Sequence, residues 1–78
     1  MTDKTPYQQT KEDVDQIKWN AIRSSRSILL KEADNLVSIA LDKNEDATLF
    51  REYRQALRDI PQTYKNPDLV VWPEKPTI

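Results

Sequence analysis

The sequence predicts a mostly α fold: a long N-terminal helix and a shorter second helix in a hairpin, followed by an extended, proline-rich C-terminal tail. Three observations predict it. Apolar residues recur at helical spacing from Val14 to Leu41 with no proline or glycine among them. A second amphipathic run comes after a polar turn. Beyond Ile60, the prolines at 61, 67, 73 and 76 interrupt any regular pattern.

The elements are taken in chain order. Residues 1–9 are polar, carry Pro6 and show no period, so they read as a flexible N-terminus. Thr10 opens a capping box with Asp13, and Glu12, Asp13 and Asp15 put negative charge where the helix dipole favours it. Val14, Ile17, Ala21, Ile22, Ile28, Leu29, Ala33, Leu36, Val37, Ala40 and Leu41 then mark one helix of about thirty residues, roughly 45 Å long. Its stripe shifts. Ile22, Leu29, Ala33, Leu36 and Ala40 lie near a coiled-coil-like seam, whereas Val14 and Ile17 lie off it. Either the helix breaks near Ser24–Ser27, or its two ends face different partners. The seam can hold the second helix or pair the long helices of a homo-oligomer.

Asp42 to Asp46 is a turn, and Asn44 or Asp46 can cap the next helix. That second helix is expected from about Ala47 to Asp59, with Leu49, Phe50, Tyr53, Ala56, Leu57 and Ile60 on its apolar face. Pro61 is expected to stop it and to turn Ile60 away from the α conformation. The organisation is thus a flexible 1–9, a helical hairpin over 10–60 and an extended docking segment over 61–78. Within that segment only Leu69–Trp72 is β-branched and aromatic enough for a short strand. A lone strand is unstable, so this run must pack on the helices or on a partner.

Composition narrows the function. The chain has no cysteine and no histidine, which removes thiolate and imidazole metal ligands and the commonest general base. No glycine is present for a phosphate-cradling loop. Twelve Lys and Arg face thirteen Asp and Glu, which argues against general affinity for nucleic acid or anionic membrane. No apolar run is long enough for a signal peptide or a membrane span, so the chain is expected to act in a cytoplasm. The reading is a non-enzymatic protein-binding module with no cofactor and no metal.

The candidate partner-binding residues are Trp19, Arg23, Arg26, Tyr64, Leu69, Val71, Trp72 and Pro73. Arginine and aromatic side chains are enriched at protein interfaces. Trp19 sits off the main stripe, where it can cover the tail or meet a partner. Trp72, between Val71 and Pro73, needs a surface to bury against. Proline already restricts the free tail, so docking it loses less entropy.

From Tyr53 onward a known pattern emerges. YRQALRDIPQ, then NPD, then VVWPEKP resemble the C-terminal part of phage tail assembly chaperones, in particular the small tail-fibre assembly chaperones. WNAIRSSRSILLKEAD, from Trp19 to Asp34, is similar to the family's first helix, with Arg23, Arg26, Leu29, Leu30 and Asp34 at matching places. There is one departure. The family pattern has a tryptophan and a turn soon after the aspartate matched by Asp34. Here Asn35–Leu41 continues the helical pattern, which predicts a longer first helix. The resemblance implies a chaperone that binds a phage tail-fibre protein in the host cytoplasm and assists its folding, trimerisation or attachment. The alternative is a structural virion component retained on the tail fibre or baseplate.

Overall fold

The computed structural model describes residues 10–77. The expected flexible lead-in, residues 1–9, lies outside the described residues. Two helices form a hairpin: α1, Lys11–Asp42, and α2, Thr48–Thr63. A single 3-10 turn, Pro67–Leu69, comes before the extended tail.

α1 starts where the capping box places it. The Thr10 hydroxyl accepts from the Asp13 N–H at 3.2 Å, and the Asp13 carboxylate accepts from the Thr10 N–H at 3.2 Å. The helix runs unbroken through Ser24–Ser27, so of the two alternatives the break is excluded. It ends in a chain without glycine by using Asn44, which takes φ 57°. The N–H of Asn44 donates to the Leu41 carbonyl and that of Glu45 to the Ala40 carbonyl. This is a Schellman end with asparagine in the left-handed position.

Asp46 then supports the start of α2, its carboxylate accepting from the Thr48 N–H at 2.9 Å and from the Thr48 hydroxyl. These two bonds favour the ionised form and hold the Asp46 carboxyl below its usual range.

Two expectations are corrected here. Pro61 does not stop α2, which continues to Thr63. Proline removes one donor, the one that would reach the Leu57 carbonyl, but this loss falls in the last turn, and the Tyr64 N–H still closes the helix on the Ile60 carbonyl at 3.1 Å. Ile60 therefore stays helical and buried. The chain turns away at Asn66, the extended residue before Pro67.

The strand expected at Leu69–Trp72 is absent. Leu69 belongs to the 3-10 turn, capped by the Asn66 side chain on the Asp68 N–H at 2.9 Å, and Val70–Trp72 are extended without a ladder. A strand needs a neighbouring edge, and the backbone groups of both flanking helices are already paired within the helices.

The core has two parts. Near the loop, Val37 and Ala40 meet Ala47 and Phe50. Further along, Ala33 meets Tyr53, Leu57 and Ile60, flanked by Trp19, Ile22, Leu29, Leu30, Tyr64 and Val70. Ala33 and Ala40 are fully buried, and their small side chains let α2 approach closely. The seam from Ile22 to Ala40 thus holds the second helix. Leu49 and Ala56, expected on the buried face of α2, are exposed instead.

At ~1.5 Å per residue α1 is about 48 Å long and α2 about 24 Å. The second helix covers only half of the first. The molecule is accordingly a rod of 61 × 18 × 18 Å, with a radius of gyration of 17.1 Å. A compact chain of this size would have about 11 Å.

Candidate functional site

The tail starts on the half of α1 that α2 leaves uncovered and then returns along the hairpin. Pro67 is buried and Val70 packs on the cluster around Leu57. Lys18 of α1 binds Asp68 at 2.7 Å, and Lys75 binds Glu32 at 3.3 Å. The tail is therefore pinned to α1 at both ends of its path. These side chains are well exposed, so each pair contributes at most about 1 kcal/mol and is weakened by salt. They set the path of the tail more than they stabilise it. Burial of Pro67 and Val70 supplies the stability.

Between those anchors the tail returns alongside α2. The Tyr64 hydroxyl donates to the Val71 carbonyl at 3.3 Å and holds the two segments together. This leaves a groove of about 430 Å³ between Ile60 and Thr63 of α2, Tyr64 just beyond it, and Val71, Trp72 and Pro73 of the tail, with the Asp59 carboxylate at its edge. Gln55 donates to that carboxylate at 2.9 Å. Val71 in its wall is 69% exposed, and Leu69, two residues before it, is 64% exposed. Trp72 retains 37% of its surface. A second groove of about 370 Å³ lies between Leu49 and the last described tail residues, Glu74–Thr77.

The eight residues singled out from the sequence divide into three groups. Tyr64, Val71, Trp72 and Pro73 meet in the first groove, and Leu69 stands beside it on the 3-10 turn. Trp19 packs on the same buried cluster as Tyr64 and Val70. The two arginines lie apart from the groove. Arg23 is exposed and donates to Asn20 on its own helix at 2.8 Å. Arg26 is half-buried, and its guanidinium donates to the Arg58 carbonyl of α2 at 3.1 Å. That carbonyl is the neighbour of the Leu57 carbonyl that Pro61 deprives of its donor, so Arg26 ties α1 to α2 where the second helix is weakest.

Sequence reasoning missed Thr63 as a groove residue because it ended α2 at about Asp59, and it missed Asp59 because it read that residue as lying off the apolar face of the helix. The spacing Leu57, Ile60, Tyr64 carries the missing signal: it continues the apolar face through the proline at helical intervals.

The site offers apolar and aromatic surface with one carboxylate at the rim. Tyr53, beneath the tail, has its phenol pushed up by burial and stays neutral. Among the described residues no group of three or more acidic side chains could hold a metal ion, and no helix is long and apolar enough to cross a membrane.

Compared with known families, the chain matches the phage tail assembly chaperone protein family over residues 19–77. No curated protein and no solved structure matches the chain. The family match begins at Trp19 and spans α1 from there to its end, all of α2 and the docked tail. The chain belongs to this family, and its role lies in the assembly of a phage tail.

Proposed function

We propose that this member of the phage tail assembly chaperone family binds a tail-fibre protein during assembly, without catalysis and without a cofactor, in the host cytoplasm. The observation that supports this reading most is the exposed apolar rim formed by Leu69, Val71 and Trp72 on a tail that is itself held to the helices. A docked tail presents its side chains already ordered, which lowers the entropy lost when a partner binds. The groove is small. Interfaces well below about 1,200 Å² belong to transient complexes. Such a site covers apolar fibre surface and gives it up when fibre subunits bury the same surface against one another.

Tyr64, Leu69, Val71, Trp72 and Pro73 form the contact in this reading, and Trp19 supports it from beneath. Arg23 adds an exposed charge on α1. Arg26, proposed from the sequence as a contact, serves the helix pair as well.

Co-expression with a fibre gene tests the proposal. Fibre solubility and trimer yield should rise with the chain present and fall back with Trp72→Ala. A yield indifferent to the chain would remove the chaperone reading. The alternative, retention on the fibre or baseplate, uses the same surface permanently. Mass spectrometry of purified particles separates the two, since a retained component is stoichiometric with the fibre and a departing chaperone is absent.

A further inference from the structure

The face of the hairpin opposite the tail is built from arginine. Arg51, Arg54 and Arg58 recur on α2 at steps of three and four, so they share one face of that helix. On α1, Arg26 donates to the Arg58 carbonyl at 3.1 Å and Asp34 pairs with Arg54 at 3.2 Å, which puts both on the same side of the hairpin. Arg23, three residues before Arg26, joins them. These are all the arginines of the chain. The tail lies on the other side. Glu32, which holds Lys75 of the tail, is two residues from Asp34, and Ala56, which lines the tail groove, is two residues from Arg54. Two residues turn a helix through about 200°, so the members of each pair point away from each other.

Arg26 and Arg54 are half-buried and tie α1 to α2. Arg23, Arg51 and Arg58 do neither. They are exposed, and none of them pairs with a carboxylate among the described residues. Arg23 bonds to Asn20 on its own helix, and Asp46 feels the charge of Arg51 without bonding to it. Like charges three and four residues apart on a helix repel, and lysine or glutamine would serve a helix surface as well. The hairpin therefore gains nothing from concentrating arginine here. The concentration does provide a row of planar guanidinium forks, each suited to bidentate contact with a carboxylate.

We infer that this face binds a short acidic segment of a partner protein, with its carboxylates on Arg23, Arg51 and Arg58. The surface is distinct from the tail groove and does not depend on it. Arg51 to Arg58 covers about 10 Å of the rod, and Arg26 and Arg23 carry the face on to about 15–20 Å. An extended segment of about five or six residues matches that length. A nucleic acid matches less well. The chain has a net charge of −1, and a polyanion longer than the patch runs onto Asp42, Glu45 and Asp46 at the loop end.

Fluorescence anisotropy of a labelled six-residue peptide of alternating Glu and Asp, titrated with the full chain at low ionic strength, tests this. Arg51→Gln combined with Arg58→Gln should weaken binding about tenfold, with helix content unchanged by circular dichroism. Arg23→Gln, on the other helix, should weaken it about threefold. Lys31→Gln combined with Lys43→Gln removes the same charge elsewhere and should change binding less than about twofold. Trp72→Ala should leave it unchanged, so the fate of this surface and that of the tail groove are read separately. A peptide that does not bind overturns the proposal, as does equal weakening by the lysine pair. An oligo(dT) of the same charge that binds more tightly than the peptide, and through the same arginines, assigns the face to nucleic acid and also overturns it.

Discussion

The two ends of this rod use their apolar residues differently. At the loop end, α1 and α2 bury Val37, Ala40, Ala47 and Phe50 against each other, and the hairpin closes on itself. At the other end α1 outruns α2, and a non-helical tail packs in its place through Pro67 and Val70, leaving Leu69, Val71 and Trp72 facing outwards. A helix on a helix can interlock along its whole length. An extended segment on a helix buries alternate side chains at best and presents the others. The covered end holds the fold together, and in the proposed function the tail end supplies the surface for a partner.

The largest expected effect lies between the two ends. Leu57 is fully buried beneath both α1 and the tail. Leu57→Ala should destabilise the chain by roughly 2–5 kcal/mol, enough to unfold much of a module this small. Denaturant titration followed by circular dichroism reads this, and an unchanged midpoint would mean that the hairpin does not rest on this contact. Next in size is removal of the tail after Tyr64. Losing Pro67 and Val70 should cost about 1–3 kcal/mol and fray α1 around Trp19, while the loop end keeps its protection from hydrogen exchange. Uniform loss of protection along α1 would erase the distinction between the ends.

The same contrast governs how much is legible in the sequence. The hairpin is: the capping box at Thr10, the apolar spacing and the turn around Asn44 are local signals with local causes. The tail is less so. Pro61 reads as a stop because the rule is about helix interiors, yet its missing donor falls in a terminal turn where the loss is small. Leu69–Trp72 reads as a strand by residue type, yet strand formation depends on an edge to pair with, which only the tertiary structure reveals. The low amphipathicity of α1 has a non-local origin too, since one side of the helix meets α2 and the tail while Ile17 and Ile28 lie on the other.

Smaller effects sharpen the picture. Lys18→Ala and Lys75→Ala should each lower stability by no more than about 1 kcal/mol, and added salt should shrink the difference. A large salt-independent loss would make the ion pairs, not Pro67 and Val70, the chief anchors of the tail. The start of α2 should show the least effect, and one that depends on pH. The Asp46 carboxyl is held below its ordinary value in the folded chain, so its contribution is present above the unfolded carboxylate range and lost as pH falls through the folded value. Asp46→Ala should lower the melting temperature slightly near neutrality, and the gap from wild type should close in acid. A gap that widens in acid would contradict this contribution of the Asp46–Thr48 bonds.

The division of labour between core and rim is tested most directly by one comparison: fibre binding and helix content measured together for Trp72→Ala. The account predicts helix content and melting temperature close to wild type with fibre affinity reduced tenfold or more, about 1.4 kcal/mol of binding. A chain that unfolds would make Trp72 part of the core, and a folded chain with undiminished binding would move the partner surface elsewhere.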